Sequence, residues 1–381
     1  MKLYILLIMT ITCAWTTEQI FVSCEGNFGE NNGSLWYLFE EQTIEYSGNP
    51  IGDVVQSIYI HENNLYVIVN GSNNIQVFNI NEDSLTPIQL IDTDLSGPRE
   101  MIIYHDFLYF TNWYTKDVKK INLLTWEIEA SIATPGLPED IIFHDGLLYV
   151  SITMNEDLSD GNKVVSIDPN NDSIIDEYEV GPGPGNLLVH DDEIYVSRTY
   201  YDENWNVFYG TSKINLDGTI LIANYGTSTS SCGGGVYSYQ NEVYRLYDGG
   251  VARLDDELQI MPETRIGNFN SWEVYSAEVI GEYIYFGLSD YASPDEVAIV
   301  NNGGDEVNRY EVGALPGDFA AWSSCISNGD INNDAMLNIL DIVLIVENII
   351  THMTFDCHAD MNSDDMLTIL DIIILVDLIL D

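Results

Sequence analysis

The stretch Met101-Ile-Ile-Tyr-His-Asp-Phe-Leu-Tyr-Phe110 returns forty residues later as Ile141-Ile-Phe-His-Asp-Gly-Leu-Leu-Tyr-Val150. It returns again as Leu187-Leu-Val-His-Asp-Asp-Glu-Ile-Tyr-Val196, and Ile58-Tyr-Ile-His-Glu-Asn-Asn-Leu-Tyr-Val67 precedes all three. Each copy reads as two apolar strands joined by a tight polar turn. A third strand follows and ends in an apolar residue plus Asn or Asp: Phe78-Asn79, Ile121-Asn122, Ile167-Asp168, Ile214-Asn215, Leu254-Asp255 and Val300-Asn301. A turn and a fourth strand complete the unit. The second strands carry anchor aromatics, Phe21, Tyr66, Tyr109, Tyr149, Tyr195, Tyr244 and Tyr285. Their spacing of about 40–50 residues is the period of a four-stranded propeller blade. The expected fold class is therefore mainly β, a seven-bladed β-propeller over residues 18–323.

The first unit lacks its opening strand. A matching copy stands at the far end, where Leu315-Pro-Gly-Asp-Phe-Ala-Ala-Trp322 parallels Leu137-Pro-Glu-Asp-Ile-Ile-Phe143. This strand is expected to complete the first blade and close the ring, which removes open sheet edges. The units resemble secreted YncE-like propeller proteins. Ile20-Phe-Val-Ser-Cys-Glu-Gly-Asn-Phe28 with Asn32-Gly33-Ser34 is similar to the opening of that family's surface members, with Cys24 at a position that often holds Asn. The likeness implies fold and surface location but no chemistry, because propellers host many functions.

Residues 324–381 form a different segment. Asp330, Asn332, Asp334, the Met336 carbonyl, Asn338 and Asp341 fall at positions 1, 3, 5, 7, 9 and 12 of one loop. Asp360, Asn362, Asp364, the Met366 carbonyl, Thr368 and Asp371 repeat the ladder thirty positions on. Ca²⁺ takes roughly six to eight oxygens, and this spacing can surround it. Two calcium sites are expected, each followed by an apolar helix. The tandem resembles a type I dockerin, whose repeats end in Asp. It departs from that pattern at position 6, where Ala335 and Asp365 replace the usual Gly. The resemblance implies a cohesin-like partner or surface scaffold, with recognition residues at loop positions 10 and 11, here Ile339, Leu340, Ile369 and Leu370. Because dockerin repeats pack as a pseudo-symmetric pair, it also implies a Cys325–Cys357 disulfide.

Met1-Lys2-Leu3 opens a short apolar stretch to Trp15 that reads as a secretory signal peptide over residues 1–17. It is too short to span a bilayer, and no later segment is long enough to do so. The expected location is extracellular or the cell surface. Removing Cys13 leaves four cysteines; Cys24 and Cys232 either pair or stand as buried thiols. The chain carries 12 Lys plus Arg against 61 Asp plus Glu, a net charge of −49. That charge repels nucleic acid and anionic membranes.

His61, His105, His144 and His190 occupy the same hairpin turn in different units, so they are spread around one rim and cannot form a cluster. Asp168-Pro-Asn-Asn-Asp172 imitates a calcium loop but has no Asp at position 12 and reads as an Asx turn. No Gly-x-Ser-x-Gly is present, and nothing points to catalysis. One face of the propeller is expected to gather Trp113, Tyr114, Tyr200, Tyr201, Trp205, Tyr247 and Tyr291, with Asp53, Arg99, Glu100, Asp140 and Asp318 nearby. Such rings beside carboxylates suit a glycan; alternatively, they fill gaps between blades. The expected function is a non-catalytic binding protein, with a polysaccharide-degrading hydrolase or lyase as the alternative.

Overall fold

The computed structural model describes residues 18–39, 42–81, 84–227, 234–292, 294–323, 329–332, 336–351, 358–362 and 367–380. The chain divides into two compact units, Gln19–Trp322 and a second that contains Ser323–Asp381.

The first unit is a seven-bladed β-propeller. Blade 1 holds β1 (Glu18–Cys24), β2 (Ser34–Phe39) and β3 (Gln42–Glu45). Blade 2 runs through β4 (Val55–His61), β5 (Asn64–Val69), β6 (Asn74–Asn81) and β7 (Ser84–Asp92). Blade 3 is β8 (Pro98–Tyr104), β9 (Phe107–Asn112), β10 (Asp117–Asn122) and β11 (Ile128–Ala133). Blade 4 is β12 (Gly136–His144), β13 (Leu147–Asn155), β14 (Asp160–Asp168) and β15 (Ser173–Glu179). Blade 5 is β16 (Pro184–His190), β17 (Glu193–Tyr201), β18 (Val207–Ile214) and β19 (Ile220–Gly226). Blade 6 has three strands, β20 (Val236–Tyr239), β21 (Glu242–Tyr247) and β22 (Gly250–Arg253). Blade 7 is β23 (Val274–Ile280), β24 (Tyr283–Leu288), β25 (Asp295–Val300) and β26 (Glu306–Val312). The last strand, β27 (Pro316–Ser323), pairs with β1 as the first strand of blade 1. The expected closing strand is thus observed, and every anchor aromatic lies on a second strand.

The core is cut into seven slabs, one between each pair of neighbouring blades. Phe21, Leu35 and Trp322 of blade 1 pack on Val55, Ile58 and Leu65 of blade 2. Tyr285, Val297 and Tyr310 of blade 7 pack on Ile20, Val22 and Phe319 of blade 1, so the ring is continuous. The slab between blades 5 and 6 is thinnest, with only Ala223, Val243, Leu254 and Leu258 fully buried. Blade 6 departs from the expected four strands for a local reason. Pro262, which has no N–H to give a ladder, opens a short 3₁₀ turn at Pro262–Thr264. Two isolated bridges, Leu254 to Ile260 and Val251 to Ile266, cover the edge of β22 in its place.

The four rim histidines sit in or beside hairpin turns of different blades. Asp168 accepts the Asn170 N–H at 2.9 Å, as an Asx turn should. Cys24 is a buried thiol, and burial pushes its pKa well up. Cys13, Cys232, Cys325 and Cys357 lie outside the described residues, as does the expected signal segment 1–17.

In the second unit, α1 (Ile339–Thr351) and α2 (Ile369–Leu380) pack through Ile345, Leu375 and Ala359. Among the described residues these are the only α-helices, and neither is long and apolar enough to cross a membrane.

Candidate functional site

The site begins with the innermost strands. In β4, β8, β12, β16 and β23 the register slips just after the strand opens, at Val55/Ser57, Pro98/Met101, Pro138/Ile141, Pro184/Leu187 and Val274/Ser276. A bulge of this kind re-aims a side chain. The residues so placed include Ser57, Glu100, Asp140, Asn186 and Ser276, and Asp318 holds the matching place in β27.

Several of these groups stitch blade to blade. Asp140 accepts Leu187 N–H from blade 5 at 2.7 Å, and Asp318 accepts Ile58 N–H from blade 2 at 2.8 Å. Ser57 Oγ donates to the Arg99 carbonyl, and Ser276 Oγ donates to the Pro316 carbonyl. The polar positions beside the axis are therefore partly structural.

The remaining groups line a cavity of about 530 Å³ with Glu25, Glu100, Glu139, Asp140, Asn186, Tyr275, Glu278 and Asp318 on its wall. Burial raises the carboxyl of Glu278 to about 8, helped by the charge of Asp318. Burial also lifts Asp140 and Asp318 to about 6 each. Glu100 is raised for the same reason, with Asp318 and Asp140 adding repulsion. Glu25 is raised by burial, against a hydrogen bond from Tyr275 that lowers it. Arg99 is the cation here, and it is committed. It grips Glu139 through Nη2 to Oε1 at 2.6 Å and Nε to Oε2 at 3.2 Å. Its guanidinium lies 4.2 Å over the Trp113 ring.

A second cleft of about 650 Å³ adjoins this one, sharing Glu139, Asn186 and Gly234. Its walls include Trp113, Met154, Leu158, Tyr201 and Trp205, with Asp160, Asp202 and Thr199 between them. Trp205 is 81% exposed and sits 6.1 Å from Tyr201 in a tight hairpin. Asp202 holds that hairpin by accepting the Asn204 and Asn206 N–H groups.

The expected ligand face is therefore divided. Trp113, Tyr201 and Trp205 share one cleft, with Arg99 at its wall. Tyr200 is stacked on Phe208, 5.7 Å away. Tyr114 lies against Gly97, Tyr291 meets Tyr275 at 6.4 Å, and Tyr247 lines a separate cavity between blades 5 and 6. Asp53 is not in the axial cavity; it accepts the Gly29 N–H at 2.9 Å. Sequence reasoning missed Glu25, Glu139 and Glu278. Glu139 was visible as the neighbour of Asp140, whereas nothing in the repeat marks Glu278.

In the C-terminal unit the two copies have the same local geometry. Asp341 Oδ1 accepts Ile331 N–H at 3.1 Å and Asn332 N–H at 3.4 Å, while Oδ2 accepts Asn338 N–H at 2.9 Å. Asp371 Oδ1 accepts Met361 N–H at 2.9 Å and Asn362 N–H at 3.4 Å, and Oδ2 accepts Thr368 N–H at 2.8 Å. Both carboxylates are fully buried. Residues 324–381 contain no Lys or Arg, and His352 and His358 are the side chains there that can carry positive charge. Asp334, Asp364 and Met366 lie outside the described residues. Among the described residues no group of three or more His, Cys, Asp or Glu converges to hold a metal. The surface beside the loops is apolar: Ile339, Leu340, Ile369 and Leu370 are all more than half exposed.

No protein-family profile matches the chain, and no curated protein matches it in sequence. Solved structures do. A hypothetical selenium-binding protein from Sulfolobus tokodaii is 11% identical, with 82% of this chain and 94% of that chain covered and a TM-score of 0.59. A 6-phosphogluconolactonase-like protein from Bacteroides fragilis is 12% identical over 80% of this chain and 98% of that one, with a TM-score of 0.58. Apo AztD from Citrobacter koseri is 10% identical over 81% and 98%, with a TM-score of 0.54. At such identities the likeness is one of fold, a β-propeller, and carries no activity.

Proposed function

We infer that the chain is an extracellular or cell-surface recognition protein. Its propeller binds a polysaccharide, and its C-terminal unit is a calcium-loaded, dockerin-like module that attaches it to a cohesin-like partner. The observation that carries this reading is the pair of buried position-12 carboxylates, Asp341 and Asp371, in a segment without Lys or Arg. Three loop N–H bonds offset part of the cost of burying each carboxylate, and a cation in each loop would offset more. A calcium ion in each loop would supply positive charge beside the acidic ligands. Asp330, Asn332, Asn338 and Asp341 would hold one ion, with Asp334 and the Met336 carbonyl. Asp360, Asn362, Thr368 and Asp371 would hold the other, with Asp364 and the Met366 carbonyl. By accepting the N–H groups of Ile331, Asn332 and Asn338, and of Met361, Asn362 and Thr368, Asp341 and Asp371 hold residues from both ends of each loop together.

On the propeller, the cleft of Trp113, Tyr201 and Trp205 offers ring faces for stacking on sugars. Asp160, Asp202, Asn186 and Thr199 offer hydroxyl partners. With its acidic rim and its single arginine already paired, the cleft suits an uncharged saccharide. Binding of the full chain to a glycan array, lost in Trp205→Ala and unaccompanied by reducing-end release, would support the reading. An array on which wild type and variant behave alike would sink it.

One observation favours the enzyme alternative. Glu278 is neutral near pH 7 beside carboxylates that are ionised there, which is the division of labour an acid–base pair needs. Product release abolished by Glu278→Gln would establish it.

A further inference from the structure

We propose that the Trp205 cleft contains a seat for one neutral sugar ring over Gly185, with Ser197 Oγ and the Asn186 side chain binding the ring's hydroxyls. This assignment rests on the reading of that cleft as a glycan site and adds the position that sets what the cleft accepts.

Gly185 departs from the repeat. In β8, β12 and β16 a proline precedes the slip in register, from Pro98 to Met101, Pro138 to Ile141 and Pro184 to Leu187. The residue after that proline is Arg99 in blade 3, Glu139 in blade 4 and Gly185 in blade 5. Blades 2 and 7 hold Gln56 and Tyr275 at the same place, while blades 6 and 1 hold Gly234 and Gly317. Four blades therefore cover this part of the strand with a long side chain. Two of the three glycines are covered by a neighbour instead. A Cβ on Gly234 would collide with the Arg245 guanidinium, and one on Gly317 would stand 3.0 Å from Glu25 Oε1. A Cβ on Gly185 would meet only Ser197, its Oγ at 3.3 Å and its carbonyl at 3.8 Å. The backbone does not demand glycine there either, because the φ of Gly185 is not positive. A glycine inside a strand that neither backbone nor packing requires marks a place that a ligand approaches closely.

Ser197 is an independent sign of the same seat. The residue two places after the anchor tyrosine is Thr111 in blade 3, Ser151 in blade 4 and Ser197 in blade 5. Thr111 Oγ1 accepts the Glu100 N–H at 3.0 Å and donates to the Glu139 carbonyl at 2.6 Å. Ser151 Oγ accepts the Asp140 N–H at 3.0 Å. Ser197 is 2% exposed and lines the cleft, yet its hydroxyl has no hydrogen-bond partner among the described residues. Buried hydroxyls are paired as a rule, so the cleft is where this one's partner belongs. The exposed Asn186 lines the same cleft, and its side-chain amide is likewise unpaired among the described residues.

The space that a Tyr275-like side chain would fill in blade 5 is left for a six-membered ring. Glu139, Asp160, Asp202 and Glu203 line the cleft, and Arg99, the cation of its wall, is engaged by Glu139. A uronic acid would be repelled there and a neutral sugar would not.

The test is binding of the full chain to an array of neutral and uronic-acid oligosaccharides, alongside thermal melting. Wild type should bind neutral members. Gly185→Gln, which gives blade 5 the residue of blade 2, should bind at least about tenfold more weakly while melting no lower than wild type. Ser197→Ala should weaken binding about three- to tenfold, as loss of one hydrogen bond does. To separate occupancy of the seat from folding, Gly185→Cys is alkylated with N-ethylmaleimide after it has folded, with wild type treated alike to report on the native thiols. Only the variant should lose binding. If Gly185→Gln or alkylated Gly185→Cys binds as wild type does while Trp205→Ala does not bind, the seat is overturned and the glycan reading stands. Equal affinity in Ser197→Ala overturns the hydroxyl contact, and equal affinity for uronic-acid members overturns the neutral-sugar assignment. A wild type that binds no member of the array overturns the glycan reading and this proposal together.

Discussion

Replacing Glu278 by Gln should stabilise the propeller, and by an amount that depends on pH. The Glu278 carboxyl sits in the axial cavity with Glu100, Asp140 and Asp318, and its pKa rises from 4.5 to about 8. Because the folded value is the higher one, the group costs nothing below pH 4.5 and progressively more as pH climbs towards 8. At pH 7.5 the unfolded carboxyl is ionised while the folded one is mostly neutral. Three units at 1.36 kcal/mol each make that penalty about 4 kcal/mol. At pH 5 it is below about 1 kcal/mol by the same reasoning. Gln keeps an oxygen for the Val279 N–H, which Glu278 now accepts at 3.1 Å, and removes the titration. For a domain of this size the gain at pH 7.5 corresponds to roughly 5–8 °C in melting temperature. Calorimetric scans of both proteins at pH 5 and pH 7.5 read it directly. A variant equal to or less stable than wild type at pH 7.5 would refute the reasoning, as would a gain of the same size at both pH values.

Two further outcomes follow from the packing. Deleting residues 314–323 removes β27, the buried Phe319 and Trp322, and the Asp318 bond to Ile58; the propeller should lose at least about 5 kcal/mol or fail to fold, as guanidinium titration would show. In the C-terminal unit, Leu340→Asp or Leu370→Asp alone should weaken capture of a cohesin-like protein modestly, because either copy can dock, while the double change should abolish it with helix content unchanged by circular dichroism.

The propeller was legible because its signal is periodic. Each anchor aromatic, from Phe21 to Tyr285, stands on a buried second strand, and a period-2 pattern bounded by turns survives any change in surface residues. The closing strand was legible because Leu315–Trp322 repeats a motif out of place. Blade 6 was not, since its missing fourth strand depends on what Pro262 and the neighbouring loop do in three dimensions. The axial carboxylates were only half legible. Glu100, Asp140 and Asp318 share a repeat position, but Glu278 stands two places later in its strand, on the same face, where the other blades carry Ile102 and Ile142. The expected aromatic face is spread over more than one cavity, Trp113, Tyr201 and Trp205 lining one and Tyr247 another, a division that the sequence positions after the second strands do not reveal. Gly185 carries no motif at all; its significance is the space left open over it, which only packing reveals.

A calcium titration of the chelator-treated full chain by isothermal calorimetry tests the twin loops most directly. Two ions per chain should bind. Asp341→Asn should remove one site and Asp371→Asn the other, because each takes the buried carboxylate out of one loop, and the double variant should bind none. Absence of any binding heat in the wild type, or two sites persisting in the double variant, would contradict the account.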